Sequence, residues 1–164
     1  MRMTLHTDYG LRMLTYLALQ PDRPCTVSEI ATSYRLSRNH LLKVALNLKN
    51  AGFVEAARGR SGGLRLARPP NEIGIGAVIR SLEEDFALVE CFKNGGGNCI
   101  IAPACRIKGI FGEALAAYMA VLDRYTLQHG LENPPSLRAL LNLGISVPAD
   151  SRPKAATLPA PVDA

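Results

Sequence analysis

The sequence predicts a mainly α-helical fold in which a helix-turn-helix is followed by a small β-hairpin wing, a cysteine-bearing loop and one long amphipathic helix. Two observations predict it. Apolar residues recur at spacings of three and four over most of the chain, the period of helices with one buried face. That period gives way once, over residues 53–68, to a short alternating stretch interrupted by glycines. The 164 residues, 48% of them hydrophobic, supply a core for one domain with attached elements.

Leu5, Tyr9, Met13, Tyr16 and Leu17 form the stripe of a first helix over residues 5–19, which Pro21 and Pro24 end. Thr26 and Glu29 have the spacing of a capping box, in which each side chain satisfies the other's unpaired backbone N–H, and a second helix runs from there to about Tyr34. Ser37 is the N-cap of a third helix, whose stripe is Leu41, Leu42, Ala45 and Leu48 and which stops near Ala51 and Gly52. Phe53–Ala56 and Gly63–Arg68 read as strands, with Leu64 and Leu66 on one side of the second and Arg65 on the other. After Pro69 and Pro70 a short helix over residues 73–82 presents Ile75, Val78, Ile79 and Leu82. Residues 89–106 lose all periodicity. Beyond them, Ile107, Ile110, Phe111, Tyr118, Val121 and Tyr125 mark the strongest helix in the chain, whose stripe is buried either by its own domain or by a second copy. The expected division is a winged helix-turn-helix over 1–85, a cysteine loop over 86–106, a dimerisation helix over 107–130, a short segment over 131–145 and a disordered tail over 146–164, where Pro, Ala, Ser and charge take over.

The net charge of +5 is concentrated. Arg35, Arg38, Lys43, Lys49, Arg58, Arg60, Arg65 and Arg68 face one acid, Glu55, a local excess of +7 that leaves −2 for the remainder. Such a strip displaces counterions from a phosphate backbone, so the expected partner is double-stranded DNA. A recognition helix presents its N-terminal residues to the groove, here Ser37, Arg38, Asn39, His40 and Lys43, while Thr26 and Ser28 open the preceding helix. In the wing, Arg58, Arg60 and Ser61 lie among glycines, which lets guanidinium groups enter a narrow minor groove.

Other classes are excluded. No apolar run reaches the roughly 18–20 residues that cross a bilayer, and His6, Asp8 and Arg12 interrupt any apolar signal segment, so no membrane is expected and the location is read as cytoplasmic. Disulfides are not expected there. Cys91, Cys99 and Cys105 form C-x7-C-x5-C, without the close pair usual for zinc; an iron–sulfur cluster suits the wider spacing, with thiol redox sensing and inert core cysteines as alternatives. Cys25, isolated before Thr26, reads as a small buried hydrophobe. No catalytic constellation surrounds His6, His40 or His129, and Glu83-Glu84-Asp85 reads as solvated surface, so the chain is not expected to be an enzyme.

Several segments together resemble the winged-helix iron–sulfur repressors of the IscR and NsrR type. They are Thr7-Asp8-Tyr9-Gly10-Leu11-Arg12, the Gly59–Leu64 wing, Ala67-Arg68-Pro69-Pro70, and Cys91 with Cys99 and Cys105-Arg106-Ile107-Lys108 before a long helix. Val89–Phe92, Ala102–Gly109 and Val121–Thr126 are most similar to the nitric-oxide-sensing branch, as are the long first cysteine spacing and the absence of histidine just after Cys105. The resemblance implies a homodimeric repressor whose three cysteines ligate a cluster, [4Fe–4S] ahead of [2Fe–2S], with Asp8 of the partner subunit as fourth ligand. It implies that nitric oxide is the signal and that cluster loss releases promoter DNA. Arg12, one turn from Asp8, is then the partner of the freed carboxylate. Sensing of iron or cluster status within the same family is the nearest alternative.

Overall fold

The computed structural model describes residues 3–57, 62–93 and 97–143. The chain divides at Glu132 and Asn133 into two units. In the first, α1 (Leu5–Ala18) starts where the Thr4 side chain accepts from the Thr7 N–H. Its buried face is Met13, Leu14, Tyr16 and Leu17. Leu5, expected in that stripe, is exposed, because the face turned to the core runs through Thr7 and Gly10 instead. At Gly10 the helix meets α4 (Ile75–Leu82) so closely that a β-carbon would overlap the Leu82 side chain.

α2 (Val27–Tyr34) opens on the capping box. The Thr26 N–H donates to Glu29 Oε2 at 2.6 Å and the Glu29 N–H to Thr26 Oγ1 at 3.1 Å. Arg35 takes a left-handed φ of 54°, which turns the chain within three residues into α3 (Arg38–Asn50). Leu41, Val44, Ala45 and Leu48 form its inner face. Val44 takes the core place expected for Leu42, which points outward, since Val44 stands on the face of α3 that meets α1 near Gly10.

β1 (Val54–Ala57) pairs antiparallel with β2 (Gly63–Leu66), Glu55 facing Arg65 across the ladder. The Cys25 backbone makes an isolated antiparallel bridge to β2: its N–H donates to the Leu64 carbonyl at 2.9 Å and its carbonyl accepts from the Leu64 N–H at 2.8 Å. A β-carbon at position 63 would lie 2.8 Å from that Cys25 carbonyl, so glycine is required there. The Cys25 side chain is fully buried, as expected of a core residue.

The helix expected from Ile73 begins two residues later, because Ile73 and Gly74 are used as an extended bridge to Thr126: the Ile73 carbonyl accepts from the Leu127 N–H at 2.8 Å and the Ile75 N–H donates to Tyr125 at 2.9 Å. Among the described residues of 89–106 there are two single turns, Glu90–Phe92 and Ala102–Ala104. α5 (Arg106–Asp123) ends before residue 130, replaced by a tight turn at Leu127–Leu131. Its far end is anchored by Arg80, whose two terminal nitrogens donate to the two Asp123 carboxylate oxygens at 2.6 Å each. Met119 is the buried residue of α5, whereas Ile107 and Ile110 are about three-fifths exposed, at 60% and 61%. The stripe is therefore only partly covered by its own domain.

In the second unit, α6 (Pro134–Leu140) is an element that composition did not announce; Asn133 caps it by accepting from the Ser136 N–H at 3.3 Å. The tail expected over 146–164 lies outside the described residues.

Replacing Gly10 by alanine should cost about 1–3 kcal/mol in urea unfolding, the usual penalty for overpacking a close helix contact, and Leu82→Ala in the same chain should recover part of it.

Candidate nucleic-acid interface and cysteine loop

Ser37 caps α3 through the His40 N–H at 3.5 Å, which leaves the first turn of the helix projecting from the turn between α2 and α3. Arg38, Asn39 and Lys43 are exposed there. Arg38 Nε donates to Ser28 Oγ at 2.9 Å, so two of the expected contact residues hold each other, and the terminal guanidinium nitrogens keep their donors for an acceptor. Thr26 is half-buried and spent on the capping box, leaving Ser28 as the exposed hydroxyl of that pair. His40 is half-buried and packs on Tyr9 of α1, ring centroids 4.7 Å apart, with His6 at 5.8 Å. Arg58, Arg60 and Ser61, expected in the wing, lie outside the described residues.

Burial, and then the neighbouring His40, hold His6 below its ordinary value, and its Nε2 lies 3.0 Å from Asn47 Nδ2. The start of α1 is thus joined to α3 by three contacts, Tyr9 with His40, His6 with His40 and His6 with Asn47. It is also joined to the end of α4, since Glu83 Oε1 accepts from the Thr4 N–H at 2.9 Å and from its hydroxyl at 3.2 Å. Glu83 is therefore a cap across 79 residues rather than the purely solvated acid expected. Asp8 pairs with Arg12 through two contacts, Nε to Oδ1 at 3.2 Å and a terminal nitrogen to Oδ2 at 2.7 Å.

Cys91 sits half-buried in the turn Glu90–Phe92, Cys99 is exposed, and Cys105 is half-buried at the position preceding α5. All three are unbonded thiols. As donors they fit an iron–sulfur cluster, which takes soft thiolates. Among the described residues, however, no three His, Cys, Asp or Glu side chains converge as a metal site, so the single chain does not gather them. Cys25 differs in kind: burial pushes its thiol up, away from the thiolate form. Among the described residues no helix is long and apolar enough to cross a membrane.

Sequence reasoning missed the Tyr9–His40–His6–Asn47 contact and the Arg80–Asp123 pair. The second joins residues 43 apart and leaves no local pattern; the first was visible only as aromatic and histidine residues on one flank of α1.

A family profile described as iron-dependent transcriptional regulator, Rrf2, matches residues 3–133. The chain is 50% identical over 144 residues to the HTH-type transcriptional regulator NsrR of Halalkalibacterium halodurans, covering 87% of this chain and 99% of the relative. It is 44% identical over 144 residues to the regulator of the same name from Bacillus subtilis, with the same coverage of 87% and 99%. Its fold is similar to CymR, the global cysteine regulator of B. subtilis, with a TM-score of 0.63 at 29% identity over 78% of this chain and 94% of that one. T. potens IscR shares the fold with a TM-score of 0.65 at 23% identity, over 90% of this chain and 94% of that one.

The capping box gives α2 an acid-sensitive start. Burial alone would raise Glu29, but the hydrogen bonds from Thr26 and Arg23 hold it below its ordinary value of 4.5. A carboxylate lowered in the folded state contributes stability above its unfolded value and loses it as pH falls through the folded one. Urea midpoints should therefore fall below about pH 4.5 in the native chain, and Glu29→Gln should be less stable at neutral pH with a shallower acid loss.

Proposed function

This chain belongs to the Rrf2 family of transcriptional regulators, and on that premise we propose that it represses promoters as a homodimer whose hold on DNA ends when nitric oxide reaches the cysteine loop. The observation that carries the DNA half is α3. Its inner residues Leu41, Val44 and Leu48 are fully buried while Arg38, Asn39 and Lys43 stand clear at its first turns. Duplex DNA accepts such a helix in its major groove. The half-exposed stripe of α5 is the surface a second copy covers.

Cys91, Cys99 and Cys105 hold an iron–sulfur cluster, [4Fe–4S] in preference to [2Fe–2S], with Asp8 of the second copy as the fourth donor. When bound, the group supplies iron open to attack by nitric oxide at its weakest ligand, a hard carboxylate. The chain's own part is an exchange at Asp8. Committed to the loop, Asp8 is lost to Arg12; returned, it takes the two contacts with Arg12 described above. The start of α1 moves between these commitments, and the contacts of His6 with Asn47 and Tyr9 with His40 carry the displacement to α3. The alternative is a cluster-free thiol switch at the same three cysteines.

Two measurements test this reading. Protein purified without oxygen should contain iron and sulfide; Cys99→Ala should lose both and Cys25→Ala should retain them. A colourless protein without iron after anaerobic reconstitution leaves the thiol switch. On duplex DNA, Lys43→Ala should weaken binding and reduce the slope of log affinity against log salt by about one. An unchanged slope would remove Lys43 from the phosphate contacts.

A further inference from the structure

α3 has two stripes. The inner one, at 41, 44, 45 and 48, builds the core. The outer one consists of Asn39, Leu42, Lys43 and Leu46, whose spacings of three, four and seven place them on a single face. Leu42 is 41% exposed and Leu46 is 58% exposed. A single exposed leucine is ordinary on a protein surface. A pair stacked one turn apart, interleaved with an amide and an ammonium group, is a face that something covers.

The occupant has to accept cations and two isobutyl groups side by side. The outer stripe stands in the stretch of eight basic residues against one acid, which an apolar protein face would leave unpaired. The major groove of duplex DNA supplies both features: phosphates line its edges, and among the base edges between them the apolar one is the 5-methyl group of thymine. We propose that Leu42 and Leu46 are specificity-determining residues that recognise thymine by packing on its 5-methyl group, while Asn39 and Lys43 on the same face make the polar contacts. The inference rests on the DNA-binding reading and adds to it a base class and the side chains that read it.

The test removes the methyl group without altering the protein. A duplex is selected by the full-length protein from a randomised pool, and each thymine in it is then replaced singly by deoxyuridine. Binding is followed by fluorescence anisotropy. The native protein should lose roughly fourfold in affinity at one or two thymines, the effect of uncovering about one methyl group. Leu42→Ala or Leu46→Ala should lose about as much on the unmodified duplex and nothing further at the corresponding deoxyuridine, the non-additivity expected of groups in contact. Both side chains are exposed, so both variants should keep the native melting temperature. The proposal is overturned if deoxyuridine costs the native protein nothing anywhere, or costs the variants as much as it costs the native protein. It is equally overturned if either substitution lowers the oligomeric mass in solution, which would make a second copy the occupant. A pool from which no duplex is enriched would bring down the DNA reading as a whole, a result distinct from normal DNA binding without methyl sensitivity.

Discussion

The inner face of α3 packs against α1 with Leu41, Val44 and Leu48 at 0% exposure, and the outward direction of Arg38, Asn39 and Lys43 on the same helix follows from that burial. Each such side chain contributes about 1.5–3 kcal/mol when removed from water. The exposed ion pair between Asp8 and Arg12 contributes at most about 1 kcal/mol. This difference in scale separates the two tasks of α1. Its apolar face fixes where the recognition helix sits, and its polar edge can exchange partners without threatening the fold.

What was legible in the sequence was local. Thr26 with Glu29, Ser37 before Arg38, and the alternation of Leu64, Arg65 and Leu66 each fix a cap or a strand through groups within a few residues of one another, and the structure has these elements within a residue or two of their expected limits. Contacts between distant segments left no such trace. Ile73 and Gly74 satisfy a helical period but are drawn into a bridge with Thr126, and Glu83 looks like surface until Thr4 is placed beside it. The same limit explains the stripe of α3. Leu42 and Val44 are both apolar and both compatible with a helix; only the position of α1 decides which one is core.

The candidate site was legible by composition more than by geometry. A strip of eight basic residues against one acid announces a polyanion surface wherever it folds. The cysteine triad announces soft ligation, yet the described residues of one chain do not bring its members together.

The arrangement of α5 joins these parts. Its first residue follows Cys105, and its last, Asp123, is clamped to Arg80 of α4. α4 in turn lies against α1 at Gly10, where the end of the Leu82 side chain takes the space a β-carbon would need, and Gly76 of the same helix likewise faces the Asp123 carboxylate. Two glycines thus bring α1, α4 and α5 close together. Small residues at such crossings transmit displacement because a closely packed interface shifts as a unit instead of deforming gradually. The exposed stripe of α5 lies outside this clamp, so a second copy can cover it without disturbing the contacts that hold α4 against α1.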